Sequence, residues 1–463
     1  MVSRKRNLII AIIALLFGLA GPGFAADTLP DRISDQSFWK LIATLSEDNG
    51  TFQSENLLSN EVEFSEIAAR LKRTMKPGGV YLGVGPEQNF NYIAAMRPKI
   101  AFIIDIRRQN LLEHLMYKAL FELSPDRSTF ISRLFSRPLV EGLKEDLTAA
   151  ELLDAYSELQ PNTLEFQKNL RDLKDNLQRK QGVTLNSDDW QNLANVYAAF
   201  REFGPLIEYS SRGGGPSGRT FSPSYQRLMT DTDNAGREWS YLASDENYAT
   251  VRDLELRNLI LPLTGDFGGP KAIRSVGQYL KDHGAVVSAF YVSNVEGYLF
   301  RGGDRLGNLN GGAERFYANA ATLPLDGGST FIRWLPRRSF NNREAPIVLA
   351  SILGTIDDFA AGRLTAEDLL VPRGFVGGTV TGTLNADTRY RYATGWVGPV
   401  RFFFYLVAAA SAFFIRYFVW SPLVESEGFA SKKRVLYAVA WGLTGLALAV
   451  FFTVLMQLWI RYV

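Results

Sequence analysis

The stretch from Gly78 to Asn110, GGVYLGVGPEQNFNYIAAMRPKIAFIIDIRRQN, constrains the fold more than any other part of the chain. Val80 to Val84 is a short apolar run without alternation, the pattern of a parallel strand covered on both faces. Gly85 permits the tight turn that follows, and Pro86 suits the first turn of a helix, where a backbone N–H has no intrahelical partner to lose. Phe90, Ile93 and Ala94 carry that helix, Pro98 stops it, and Ile100 to Ile106 form a second buried strand. Parallel neighbours need a crossover, so the stretch commits the chain to a β-α-β unit. Leu111, Leu112, Leu115, Met116 and Ala119 then keep helical spacing as far as Ser124 and Pro125, which completes a βαβα unit.

The rest of the large central region extends the same alternation. Upstream, Gln36 to Leu45 reads as a helix, and a second helix is expected from Asn60. There Asn60 serves as N-cap with Glu63 three positions on, an ordinary capping box, and Phe64, Ile67, Ala68 and Leu71 make the apolar stripe. Leu147 to Phe203 is polar and helical and reads as an insertion that packs on the core; PLIEYSS, from Pro205, is a further candidate strand. The glycine-rich Ser211 to Gly218 lacks the Gly-Lys-Ser/Thr of a phosphate loop and reads as a mobile loop. Asp245 to Asn258 is helical and feeds LILPLTGDFGG, a strand ending at Gly265 and Asp266. Lys271 to His283 is the next helix, and Ala285 to Val292 the next strand, which ends in SNVE. RFYANAATLPL and STFIRWL, parted by DGG, read as a hairpin. The expected architecture is α/β: a largely parallel, three-layer sheet with an antiparallel edge and a helical insertion.

Three further segments place this region beside a membrane. A chain of 463 residues with 46% hydrophobic content exceeds one ordinary domain. MVSRKRN is a basic start, LIIAIIALLFGLA an apolar core, and Gly23 and Ala25 are small residues suited to signal peptidase. Residues 1–25 are therefore a signal peptide, with an uncleaved N-terminal anchor as the alternative. Val400 to Trp420 and Val435 to Ile460 each reach the ~20 apolar residues a bilayer requires and read as transmembrane helices. The organisation expected is an α/β domain over 27–340, with its insertion at about 147–203, and a helical, Gly/Thr-rich juxtamembrane segment at 341–395 before the spans. Basic clusters SRKR and SKKR flank the apolar runs and should lie in the cytoplasm, which puts the large domain in the periplasm, held by a bacterial inner membrane. Lys+Arg 50 against Asp+Glu 48 gives no basic excess, so no nucleic-acid partner is expected. The absence of cysteine excludes thiolate metal sites and a cysteine nucleophile, and with only His114 and His283 no metal is expected.

In an open parallel sheet, ligands bind beyond the carboxyl ends of the strands. The polar residues of interest fall there: Gly83, Gly85, Glu87, Gln88 and Asn89 after the first strand, Asp105 and Asn110 after the second. Asp266 and Phe267 follow a later strand, and Ser293, Asn294 and Glu296 the next. A carboxylate about 20 residues after a glycine turn can accept both hydroxyls of a ribose, and Asp105 stands at that spacing from Gly83. Each residue has a plainer role open to it. Asp105 can cap or pair with Arg107 or Arg108, Asp266 can be the N-cap of the following helix, Asn294 can hold a turn, and His114 can be a core histidine.

These residues carry a resemblance. YLGVGPEQNF and AFIIDIRRQN, with GDFGGPKAI and FYVSNVE, resemble an uncharacterised bacterial family with a class I S-adenosylmethionine-dependent methyltransferase-like, Rossmann fold. SENLLSNE and ATLPLDGGSTFIR resemble it too, and the likeness runs from about Phe38 to Pro336. The resemblance implies that Gly83 and Gly85 face the methionine end of S-adenosylmethionine, that Asp105 takes its ribose, and that Asp266 with Phe267 marks where substrate meets the methyl group. Two departures weaken that expectation: Glu87 replaces a third glycine, and no Asn-Pro-Pro-Tyr segment appears. Methyl transfer asks mainly for alignment and one base, for which Asp266 and Glu296 are the candidates. Three functions stay open: a membrane-anchored domain binding a nucleotide-type or other small ligand, an active methyltransferase, and an envelope interaction protein with a vestigial site.

Overall fold

A computed structural model describes residues 27–52, 55–144, 146–209, 223–301, 311–334 and 347–364. The expected leader, the loop at 211–218 and both expected spans lie outside the described residues. Among the described residues no helix is long and apolar enough to cross a membrane.

The described residues form a mixed α/β domain around a six-stranded, mostly parallel sheet. Its strands are β1 (Val80–Gly83), β2 (Ile100–Asp105), β3 (Ile260–Thr264), β4 (Val287–Ser293), β5 (Thr330–Trp334) and β6 (Ile347–Ser351). They lie in the order β3-β2-β1-β4-β5-β6. All neighbours are parallel except β5 and β6, which pair antiparallel from Thr330 opposite Ser351 to Trp334 opposite Ile347. Every residue of β1, β2 and β3 is buried, so both faces of this half of the sheet are covered, as its unbroken apolar runs require. Pro262 is tolerated within β3 because, among the described residues, that strand forms the sheet edge and pairs with β2 alone.

The helices are α1 (Asp35–Leu45), α2 (Phe64–Thr74), α3 (Gln88–Met96), α4 (Arg108–Leu123) and α5 (Arg127–Phe135), then α6 (Ala149–Ser157), α7 (Thr163–Asp175), α8 (Ser187–Phe203) and α9 (Tyr225–Met229). After these come α10 (Asp245–Leu256), α11 (Ala272–Asp282), α12 (Val295–Arg301), α13 (Gly312–Ala320) and α14 (Ile352–Ala360). The βαβα unit is β1-α3-β2-α4. Phe90 of α3 anchors it to the neighbouring helices, with edge-to-face contacts to Tyr117 and Phe121 of α4 at 5.2 and 5.3 Å. The 147–203 stretch is helical, as α6, α7, a π turn at Asn176–Lys180 and α8; α8 packs against α4 and α5. Arg108 at the start of α4 clamps Asp189 of α8 with two bonds of 2.7 Å.

Three sequence expectations are corrected. RFYANAATLPL is the helix α13 rather than a hairpin strand, and the antiparallel partner of β5 is Ile347–Ser351, within the segment expected to be juxtamembrane. Phe316, Tyr317 and Ala320 share the buried side of α13, a helical spacing that the DGG turn obscures. The helix expected from Asn60 begins at Phe64, because Glu63 sits in left-handed backbone at φ 68° and makes no side-chain cap. Residues before it are drawn to the sheet edge instead, where the Ser59 N–H donates to the Glu87 carboxylate. PLIEYSS joins no sheet; a 3-10 turn at Gly204–Leu206 is followed by one isolated bridge between Glu208 and Ser224.

Candidate functional site

The sheet reverses its winding between β1 and β4, so the connections leaving their carboxyl ends diverge and open a gap. A cavity of about 160 Å³ lies at this edge. Val84, Gly85 and Pro86 line it after β1, Asp105 to Arg107 after β2, Gly265 to Phe267 after β3, and Ser293 to Val295 after β4. The segment Leu58 to Glu61 closes one side, and Phe52 with Tyr298, edge-to-face at 5.2 Å, forms an aromatic wall. An apolar cavity of about 150 Å³ takes a benzene-sized guest, so this one fits a single ring or a short acyl group.

The glycine turn is present and held rigid. Gly85 has φ +76°, and nothing lies within 4 Å of where a side chain would start, so its free side faces the cavity. Gly83 is different, since a Cβ there would stand 1.9 Å from Asn89 Oδ1. That glycine makes room for Asn89, whose amide nitrogen donates to the carbonyls of Val84, Gly85 and Pro86 at 3.0, 3.0 and 2.7 Å. Asn89 Oδ1 accepts from the Tyr81 hydroxyl at 2.9 Å. His114 Nε2 donates to the Gly85 carbonyl at 2.9 Å, and burial lowers this histidine to about 4, so it is a neutral core residue.

Several expected site residues serve packing. Glu87, Gln88, Asn89 and Asn110 are fully buried and do not line the cavity. Gln88 donates to the Tyr92 hydroxyl at 3.3 Å. Burial lifts the Glu87 carboxyl to about 8, against the bonds it accepts from backbone, including Ser59. Asp105 does reach the cavity wall, yet both its oxygens are occupied: Arg107 donates from Nε at 3.1 Å and from Nη2 at 3.0 Å, and the Arg107 N–H adds a third bond at 2.8 Å. Pairing with Arg107 is therefore the role this carboxylate takes, because the turn into α4 folds the arginine back over it. Glu296 is not at the cavity. Its carboxylate is buried between Arg333, whose Nε donates at 2.6 Å, and the Tyr317 hydroxyl, which makes it a structural anchor rather than a base.

Asp266, Phe267, Asn294 and Gly85 remain, with Asp105, as expected residues that the fold brings together around the cavity. Asp266 Oδ1 accepts from the Gly268 N–H at 2.9 Å, and its other oxygen is bonded to none of the described residues. It does not cap α11, because Glu47 accepts from the Lys271 and Ala272 N–H groups at 2.7 Å each. Phe267 stacks on Phe316 with ring centroids 5.4 Å apart and forms part of the floor.

The most chemically distinctive group is Glu61, which sequence reasoning passed over. It is 1% exposed and lines the cavity. The Tyr291 hydroxyl donates to its Oε2 at 2.8 Å, and Ser293 Oγ donates to its Oε1. Burial raises the carboxyl to about 7, and these two hydrogen bonds pull the other way. A carboxylate inside SENLLSNEVE, otherwise read as a helix start, was the one available signal.

A family model described as Domain of unknown function (DUF7790) matches residues 57–204 and 213–364. No curated protein matches the chain.

Proposed function

The chain belongs to the DUF7790 family, and we propose that its α/β domain binds a small ligand at the carboxyl edge of a Rossmann-like, methyltransferase-like sheet, tethered to a bacterial inner membrane on the periplasmic side. The observation that carries this reading is the cavity at the β1/β4 reversal, the place where doubly wound sheets hold their ligands. Strand order 3-2-1-4-5-6 with an antiparallel edge supports the Rossmann-like comparison.

S-adenosylmethionine, the donor implied by the resemblance, does not fit the residues as they stand. Arg107 holds both oxygens of Asp105, and Asn89 fills the space at Gly83, so neither the ribose nor the methionine end meets its expected group. The cavity also suits a ligand smaller than a nucleoside carrying methionine. A thermal-shift series on the full chain in detergent, using S-adenosylmethionine, adenosine, NAD and short carboxylic esters, tests the reading. A small ligand at about 100 times its Kd should stabilise the domain by about 2.7 kcal/mol, and Leu299→Trp, which fills the cavity, should abolish the shift. Shifts that survive Leu299→Trp, or none with any compound, would remove the cavity as a ligand site.

The membrane setting rests on the two apolar stretches at 400–420 and 435–460 and on their flanking basic residues. Because the chain has no cysteine, Leu164→Cys introduces a unique thiol at a position 74% exposed on the α/β domain. A membrane-impermeant maleimide should label it in spheroplasts without lysis. Labelling only after lysis would reverse the topology.

A further inference from the structure

Ser293 ends β4 and stands immediately before the turn into α12, in left-handed backbone at φ 51°. A serine seldom adopts that conformation, and strained positions of this kind concentrate where a side chain must be aimed. The β4/β5 ladder slips between Tyr291 and Ser293, so the strain sits at a bulge, a device that redirects a side chain out of the ladder. Here it directs Ser293 Oγ to Glu61 at the cavity wall, while the Tyr291 hydroxyl holds the other carboxylate oxygen. A hydroxyl bonded to a base that a third group orients is the arrangement that activates an oxygen nucleophile.

We propose that Ser293 is a nucleophile, with Glu61 as its general base and Tyr291 as a positioning residue, for acyl transfer from a small uncharged ester to water. The proposal rests on the cavity being the ligand site. Ser293 Oγ forms a bond to the ester carbonyl carbon as its proton passes to Glu61. The C–O bond to the alcohol then breaks, and the alcohol leaves with that proton. Water attacks the acyl-serine, gives a proton to Glu61, and the acid departs as Ser293 recovers its hydrogen. Asn294 lines the cavity beside the serine, and its amide nitrogen is bonded to none of the described residues, which suits it to the developing oxyanion. Leu58, Val84 and Leu299 make the walls apolar, and the volume limits the acyl group to about the size of a ring.

Glu61 titrates near neutrality, as a general base at neutral pH should. Burial raises it, and the hydroxyls of Ser293 and Tyr291 pull it down; its charge in turn raises the phenols of Tyr81, Tyr92 and Tyr291, which burial already holds well above their ordinary range, and the carboxyl of Glu87, at about 8. Of these only Glu87 ionises near Glu61.

The test is reaction of the full chain with a fluorophosphonate probe, which mimics the acyl carbon and expels fluoride, alongside p-nitrophenyl acetate hydrolysis. One adduct is expected, mapped to Ser293 by peptide mass, with a labelling rate that rises about tenfold per pH unit and levels off above about 7. Ser293→Gly relaxes the left-handed backbone and so keeps the fold, and it should lose the adduct. Glu61→Gln should slow labelling by about 100-fold with a melting temperature no lower than that of the wild type. An unlabelled wild type, an adduct elsewhere, or labelling unchanged in Glu61→Gln would overturn the proposal. Leu299→Trp separates this from the binding reading. A Ser293 adduct that survives it keeps the nucleophile and removes the cavity, whereas a ligand-induced stabilisation without any Ser293 adduct keeps the cavity and removes the nucleophile.

Discussion

Arg333→Met is expected to lower the stability of the α/β domain by about 3–5 kcal/mol, a large share of the ~5–15 kcal/mol that holds a domain together. Arg333 is a fully buried cation on β5, and its Nε lies 2.6 Å from Oε2 of Glu296 on α12. Methionine fills much of the same volume, so the main loss is electrostatic: Glu296 is left with the Tyr317 hydroxyl in a site closed to water. Glu296→Gln in the same background removes the uncompensated charge and should recover most of the loss. Urea unfolding followed by tryptophan fluorescence measures both variants. A cost below about 1 kcal/mol for Arg333→Met would mean the pair is hydrated and not a structural anchor. The result also decides between two roles for Glu296, since a base required only for chemistry is dispensable to folding.

The sequence made β1, β2 and the helices after them readable because fully buried parallel strands appear as unbroken apolar runs between glycine and proline. The carboxyl-edge location of the site followed from the same unit, and Gly85, Asp105, Asp266, Phe267 and Asn294 do meet around one cavity. What sequence could not resolve was the partner of each polar group. Asp105 has an arginine two residues on, and whether that arginine folds back or faces outward depends on the turn into α4 and on Glu55, whose carbonyl accepts from Arg107. Asn60 and Glu63 satisfy the local rule for a capping box, but a buried Glu87 claims the Ser59 N–H and the segment leaves the helix path. Glu61 arrives at Tyr291 and Ser293 from 230 and 232 residues away in sequence, a separation no local pattern reports. The antiparallel edge was expected from the right composition but assigned to the wrong segment, because alternation in ATLPLDGGSTFIR imitates a hairpin while α13 buries Phe316 and Tyr317 on a helical face.

Raising the pH from about 6.5 to 8 is expected to destabilise the domain, against the common pattern in which ionised carboxylates stabilise a fold. Burial raises Glu87 to about 8, Glu61 to about 7 and Glu255 to about 8, from an ordinary value of 4.5. Below pH 4.5 both folded and unfolded chains hold these protons. Above it the unfolded chain releases them while the folded chain keeps them, so stability falls with pH until each folded value is passed, by on the order of 1 kcal/mol per unit and group. His114, lowered to about 4 by burial, works in the opposite sense but only up to its ordinary value of 6.5. The three carboxyls outweigh the one histidine from about pH 4.5, and above 6.5 their loss is unopposed, with Glu61 levelling off near 7 and Glu87 and Glu255 near 8. Glu87→Gln keeps an acceptor for the Ser59 N–H and removes the ionisable group, so it should be near neutral at pH 5 and stabilising by a few kcal/mol at pH 8. Urea titrations at pH 5, 6.5 and 8 measure the difference, and a variant that tracks the wild type at all three would show Glu87 to be hydrated. The Ser59 N–H favours the ionised form of Glu87, so this bond opposes the effect of burial and holds the cavity segment that carries Glu61 at either pH.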